Sequence, residues 1–366
     1  MEYFNCNFGT HMSQESLQKW VKMANSPDTK KRTSSLIYYI AFLLKYNLSD
    51  DYEITFTSGQ AESNSQMIMT TVSSYINETN KRPHVIVSYA NHPSILQAVK
   101  WLFKYKIIEV SIIPYQDLIV DIGLLQKSIR KNTCLISVIG ACPISGAINN
   151  LKKIKEIAGK HEIPLHSDLS VQFCKTAEYP PDLDAFTLSF EYIHGPARLG
   201  ILAIKKCLVN GYKLPPLIFG KEQKLRGGAM PLQEICAAYN GLKETLAVPI
   251  NKKIIIEIMQ ACKELGECYH YKDDYPPQKS GVFVFFKAEE SLSNTLLFGV
   301  IGVDVKKIKE ELNFEGIMIE CLTCKYLKLP INQLLHISID NKIQNSESFI
   351  TKFKQVFVSQ VPSISA

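Results

Sequence analysis

Over roughly the first two-thirds of the chain, short apolar runs alternate with stretches whose apolar residues recur every three or four positions. That alternation predicts the strands of a sheet separated by the amphipathic helices that cover it. Ile54–Phe56 reads as a short strand, and Gly59 opens a long helix running through Met67 and Val72. His84–Tyr89 is the next strand, followed by a helix over Pro93–Lys104. Ile107–Ile113 reads as a strand, Ile122–Arg130 as a helix and Cys134–Gly140 as a buried strand. A helix over Ile148–Lys160 leads into a strand at Pro164–Asp168, and Ala185–Ser189 and Leu199–Ile204 complete the set. From about Pro249 the character changes. Strand-like Gly281–Phe286 and Leu334–Ile339, with a helical Val305–Leu312 between them, predict a smaller α+β domain; no internal repeat is visible.

Composition narrows the class without naming a function. The 366 residues are 46% hydrophobic and 21% charged, with a net charge of +6, as expected of a folded globular protein. Basic clusters such as Lys30-Lys31-Arg32 and Lys252-Lys253 are scattered among acidic residues, which argues for solvated surface over a nucleic-acid stripe. The N-terminus lacks the basic-then-apolar pattern of a signal peptide. The longest apolar run, Leu36 to Leu44, is too short to span a bilayer, so no membrane association is expected. Ten cysteines do not make a disulfide framework in a chain of this length. Cys134, Cys142 and Cys236 lie inside apolar runs and read as buried core, which suits a reducing cytoplasm.

Three places could carry chemistry. In Ile54-Thr55-Phe56-Thr57-Ser58-Gly59-Gln60-Ala61-Glu62-Ser63-Asn64 a strand ends, a glycine turns and a helix begins. Free backbone N–H groups then point at one place, an arrangement that binds phosphate. His92 follows the HVIVSY strand, where an imidazole can stack on a flat ring, although a helix-capping histidine is the plainer reading. Asp168 ends the Pro164–Asp168 strand, two residues after His166, where a carboxylate faces the ligand crevice of an open sheet.

Taken in order, Tyr3-Phe4-Asn5, FTSGQAESN, HVIVSYANHPSIL, LISVIGACPISG, PLHSDLS and DAFTLSFEYIHGPARLGIL resemble the NifS-like, cysteine desulfurase-related branch of the class V aminotransferase family. The resemblance implies the α/β fold of the pyridoxal-phosphate (PLP)-dependent transferases (aspartate aminotransferase type, fold type I). A large domain over 1–249 would carry a mainly parallel, seven-stranded sheet, and 250–366 a smaller C-terminal α+β domain. It also implies a phosphate held by the Gly59-Gln60-Ala61 turn and Ser189, His92 on the pyridine ring and Asp168 at the ring nitrogen. Arg226 matches a segment that, by the same resemblance, reaches across a homodimer interface and completes the partner's phosphate site. Cys324, in Ile319-Glu320-Cys321-Leu322-Thr323-Cys324, stands at the place of a nucleophilic cysteine.

The departures from that pattern fall on the ligand. Tyr192 stands where the resemblance places the Schiff-base lysine, and Glu191 where it places a histidine. A phenol, with a reference pKa of about 10, forms no imine. Pro143 replaces an asparagine and has no N–H to donate. Val171 replaces a glutamine, although Gln172 follows it, and Ala61 and Ala229 replace threonines. His336 replaces the arginine that would hold a substrate carboxylate. Lys175, and Lys205-Lys206 at the far end of a strand, are not expected to reach the crevice.

Such erosion implies a cofactor that is not covalently bound, or absent, and no desulfurase activity. The first reading is a non-enzymatic scaffold, a homodimer with a further protein partner. Alternatives are a lysine-free PLP or aminated-PLP (PMP) enzyme with His194 as base, and a Cys321–Cys324 redox or metal site. A lone CxxC is weak grounds for zinc, and no metal is expected.

Overall fold

The computed structural model describes residues 2–3, 10–24, 51–173, 175–176, 182–221, 223–314, 317–322, 334–339, 343 and 345–360. Seven strands form the larger sheet, in the order Tyr52–Thr57, Gly200–Lys205, Ala185–Ser189, Leu165–Asp168, Thr133–Ser137, His84–Ser88 and Glu109–Ile113. The last five are parallel to one another, whereas Gly200–Lys205 runs antiparallel to both strands beside it. Two antiparallel steps restore direction. Thr57 therefore ends at the same edge of the sheet as Ser88, Ser137, Asp168 and Ser189.

Parallel strands are covered on both faces, so successive residues of one strand enter different cores. Ile86, Ile136 and Ile201 pack in one cluster, while Val85, Val87, Leu135 and Leu202 pack in the other. The helix Gln60–Thr79 crosses the sheet over Gly200–Lys205, Ala185–Ser189 and Thr133–Ser137. The helix expected from Ile148 begins instead at Leu151. The Asn150 side chain accepts from Lys153 N at 2.9 Å, a helix cap, and Ile148 is engaged in an antiparallel bridge with Ala141.

A five-stranded sheet follows, ordered Cys268–His270, Phe283–Phe285, Thr295–Val300, Leu334–Ser338 and Glu320–Leu322. Its core is aromatic: Phe283, Phe298, Phe349, Phe353 and Phe357 are buried together. Each contributes about 1.5–3 kcal/mol on burial, so this part is not held by the larger sheet alone. The strand Thr295–Val300 and the helices Leu232–Ala247, Lys253–Leu265 and Glu347–Gln360 were not among the elements expected from the pattern. The two sheets are joined beside the crevice, where Leu292 N donates to Gly146 O at 2.8 Å and Ile148 N to Glu290 O at 3.0 Å. Among the described residues no helix is long and apolar enough to cross a membrane.

Candidate functional site

The shared edge of the large sheet gathers residues that are far apart in sequence. Gly200 pairs with Thr57 on one side and Ser189 on the other, which aligns the Gly59 turn with the end of Ala185–Ser189. Only glycine fits at position 200: a Cβ there would lie 2.7 Å from the Gly59 carbonyl carbon. Gly59 itself has a φ of +134°, a conformation that L side chains rarely adopt, and it starts the helix without a side-chain cap.

Asp168, fully buried, is the centre of the site. Its Oδ2 accepts from Gln60 Nε2 at 2.6 Å and from Asn64 Nδ2 at 2.7 Å. Its Oδ1 accepts from Ser170 N at 3.1 Å. Gln60 and Asn64 are four residues apart, so one helix face presents both amides to the carboxylate. Asn64 Nδ2 also reaches Ser94 Oγ at 3.2 Å, and Ser94 N donates to His92 Nδ1 at 3.3 Å. His92 thus caps the helix Pro93–Lys104, the plainer of its two readings, while lying close enough to Asp168 to feel its charge. Burial lowers the pKa of His92 and the Asp168 charge opposes that shift. His166, below Asp168 on the same strand, bonds Ser137 Oγ at 2.9 Å and Thr187 Oγ1 at 3.0 Å. Burial lowers its pKa to about 4 despite the pull of Asp168, so it is neutral.

Tyr192 closes the site from the other side. Only 9% exposed, it packs with Ala141, Val171 and Leu292, so the valine that replaces a glutamine walls the phenol. Its hydroxyl donates to Gln60 Oε1 at 3.3 Å. Burial, then the charges of Glu191 and Asp168, push its pKa far above the usual tyrosine value. The phenol stays protonated and serves as a donor. Glu191, next to it, accepts from Ser189 Oγ at 3.2 Å. Its carboxyl is raised above the usual range by burial and by the charge of Asp168, which outweigh the Ser189 hydrogen bond.

Lys175 corrects an expectation. It is buried, 8% exposed, with its Nζ 5.8 Å from the centroid of the Tyr192 ring, so the crevice does contain a lysine. The chain turns sharply after Asp168, where Phe173 N donates to Leu169 O and Lys175 N to Gln172 O. This brings residue 175 back to the strand end. Lys205 behaves as expected and pairs with Asp182 at 2.7 Å, at the opposite edge of the sheet.

His336 is fully buried in Leu334–Ser338. Burial, reinforced by the charge of Lys175 and opposed by a hydrogen bond to the Pro143 backbone, lowers its pKa to about 3. A neutral imidazole of this kind cannot hold a carboxylate as an arginine does. Arg226 Nε donates to Glu62 Oε1 at 2.6 Å within the same chain, while Ser58 N donates to Glu62 Oε2 at 2.8 Å. Ala61 and Ala229 are exposed. Buried His194 bonds His11 O through Nδ1 at 3.3 Å, and its φ of +58° fits a turn. Cys324 lies outside the described residues. Among those residues no group of three or more His, Cys, Asp and Glu could hold a metal.

A profile described as aminotransferase class-V matches residues 43–345. The chain belongs to that family. A NifS-like protein of African swine fever virus (isolate Pig/Kenya/KEN-50/1950) is 36% identical over 222 residues, covering 60% of this chain and 55% of that protein. Cysteine desulfurase IscS of Rickettsia typhi (strain ATCC VR-144 / Wilmington) is 28% identical over 238 residues, 63% of this chain and 54% of its own length. These matches span about half the length of the curated relatives. Among solved structures, a NifS-like protein superposes with a TM-score of 0.82 at 21% identity, covering 98% of this chain and 99% of that one. Cysteine desulfurase CsdA from Escherichia coli gives 0.77 at 15%, covering 98% and 95%. The fold is therefore that of the PLP-dependent class V proteins, as the motif order implied.

The family's cofactor is PLP, and the side chains present do not fit it. Asp168 already accepts three hydrogen bonds from its own chain, which take up most of the roughly four acceptor sites of a carboxylate. Position 192 offers a protonated phenol and no amine. Ser189, on the phosphate side, is engaged by the carboxyl of Glu191, which would repel a phosphate.

Proposed function

We propose that this class V protein is a NifS-like scaffold whose cofactor site is eroded and which has no cysteine desulfurase activity. The observation that carries the reading is the buried bridge from the Tyr192 hydroxyl through Gln60 to Asp168. That bridge joins the residue replacing the Schiff-base lysine to the residue assigned to the ring nitrogen. A pseudoenzyme of this kind carries no PLP on Tyr192. Its working surface is the protein itself, offered to a host or viral protein partner. The viral relatives favour the cytoplasm of an infected cell, or the virion, as its location.

Leu217, Ile218 and Phe219 support a homodimer. Phe219 is 81% exposed, and Ile218 bridges to Arg226, in the segment that the family resemblance assigns to the dimer interface. An exposed aromatic next to that segment is suited to a second copy of this chain. The lysine-free PLP or PMP reading would need His194 as a free base, whereas His194 is tied to the His11 carbonyl. The Cys321–Cys324 reading falls partly outside the described residues, and burial raises the Cys321 pKa, which disfavours a reactive thiolate.

One preparation tests the reading. Purified protein incubated with PLP and dialysed should show no cofactor absorbance, and should release no sulfide from cysteine above a control without protein. Sulfide release abolished by Cys324→Ala would overturn it.

A further inference from the structure

We infer that the cofactor site is self-liganded: the chain's own Gln60 amide and Glu191 carboxyl occupy the binding functions of the ring nitrogen and the phosphate. This rests on the eroded-site reading and extends it. Loss of the lysine position alone would leave an open cleft that still attracts the phosphate and the ring. The geometry shows more than loss.

A carboxylate that would receive a pyridinium N–H instead receives the N–H of Gln60 at 2.6 Å and that of Asn64 at 2.7 Å. All three residues are buried. The donor type is the same, and the donor belongs to the chain. A hydroxyl assigned to phosphate, Ser189 Oγ, donates at 3.2 Å to a carboxyl oxygen of Glu191. The acceptor type is again the same, an acidic oxygen supplied two residues along the chain. Arg226, the cation assigned to a phosphate, is held by Glu62 at 2.6 Å. The Gln60 oxygen is in turn engaged by the Tyr192 hydroxyl, and Tyr192 is anchored in its apolar cluster.

Buried polar groups left without partners destabilise a fold. A site that has given up its ligand must either refill those positions or lose stability. Here Asp168 and Ser189 are refilled from within, which lets the fold stand without a cofactor. Gln60 and Glu191 therefore exclude the ligand, and Tyr192 acts by holding Gln60 in place.

Pyridoxine 5′-phosphate tests this, because it has the ring and the phosphate but no aldehyde and so reports these two contacts alone. Binding is measured by equilibrium dialysis and by thermal shift for the wild type, Gln60→Ser, Glu191→Gln and the double variant. The wild type should show no saturable binding and no shift in melting temperature. The folded double variant should gain affinity by roughly tenfold or more, since hydrogen bonds to charged groups are strong. Each single variant should gain less.

If the folded double variant gains nothing over a non-binding wild type, self-liganding is wrong and the eroded-site reading stands. If the wild type itself binds saturably and as tightly as the double variant, both fail. Should Gln60→Ser not fold, the partly exposed Glu191→Gln still decides half of the proposal. Side-chain amide exchange of wild-type Gln60 by NMR decides the other half: slow exchange is expected, and exchange as fast as that of surface glutamines would overturn the Asp168 contact.

Discussion

The two edges of the seven-stranded sheet each carry carboxylates at or just beyond strand ends, and they satisfy them by opposite means. At the edge where Ala185–Ser189 begins, Asp184 is met by Lys155 at 2.5 Å, and Asp182 by Lys205 at 2.7 Å and by the Tyr52 hydroxyl at 3.2 Å. These are lysine pairs close to solvent. At the crevice edge, Asp168 is met by two neutral side-chain amides and a backbone N–H, and Glu191 by a hydroxyl. The nearby ammonium, Lys175, lies over the face of Tyr192. A solvent-side carboxylate costs little and is neutralised by a flexible cation. A buried one needs fixed donors, and Gln60, Asn64 and the Ser170 N–H supply them to Asp168. On the proposed reading the crevice is a ligand site converted into core, whereas the far edge is ordinary surface.

The comparison can be sharpened by removing one group at a time. Tyr192→Ala should have the largest effect, about 3–5 kcal/mol lost in urea unfolding, because it leaves a cavity against Ala141, Val171 and Leu292. If Tyr192 instead hung in an open cleft, the loss would be under about 1 kcal/mol. Asp168→Ala should follow at about 2–3 kcal/mol, since the amides of Gln60 and Asn64 lose their acceptor in a buried place.

Acid should affect the buried histidines next. His166 titrates at about 4 and His336 at about 3 in the folded chain, both lowered by burial, against about 6.5 unfolded. The unfolded chain therefore takes up protons first as pH falls. The stability these neutral rings contribute is present above about 6.5 and is lost progressively as pH drops toward 4 and then 3. The urea midpoint should fall between pH 7 and pH 5, and less so in His166→Asn; an unchanged slope in that variant would contradict the assignment. Asp182→Asn, at the far edge, should have the smallest effect, about 0–1 kcal/mol, because its side chain is largely exposed.

Much of the crevice was legible in the sequence. The strand–glycine–helix start at Gly59, the carboxylate at the end of its strand and the missing amine at position 192 are local features. The structure puts Gly59, Asp168 and Tyr192 at one place. Less legible was Gln60, read as part of a phosphate turn by its backbone although its side chain bridges Asp168 and Tyr192. Its spacing of four from Asn64 was the available signal, since residues four apart share one helix face and can reach a common partner. The place of Lys175 was not legible, because a turn after Asp168 reverses the backbone and brings a residue from beyond the strand back to its end.

By itself the sequence determined the order and type of the main elements. Apolar periodicity is a property of each segment and survives wherever that segment is placed. It also determined that no imine can form at position 192, because residue identity settles that. Which side chains meet was decided by the tertiary structure. The helix that starts beside Tyr52–Thr57 crosses the antiparallel Gly200–Lys205 and then Ala185–Ser189, and its first turn reaches Asp168 three strands away. No local pattern encodes that crossing. It follows from the strand order of the sheet, and the strand order is set by long-range packing of both faces at once.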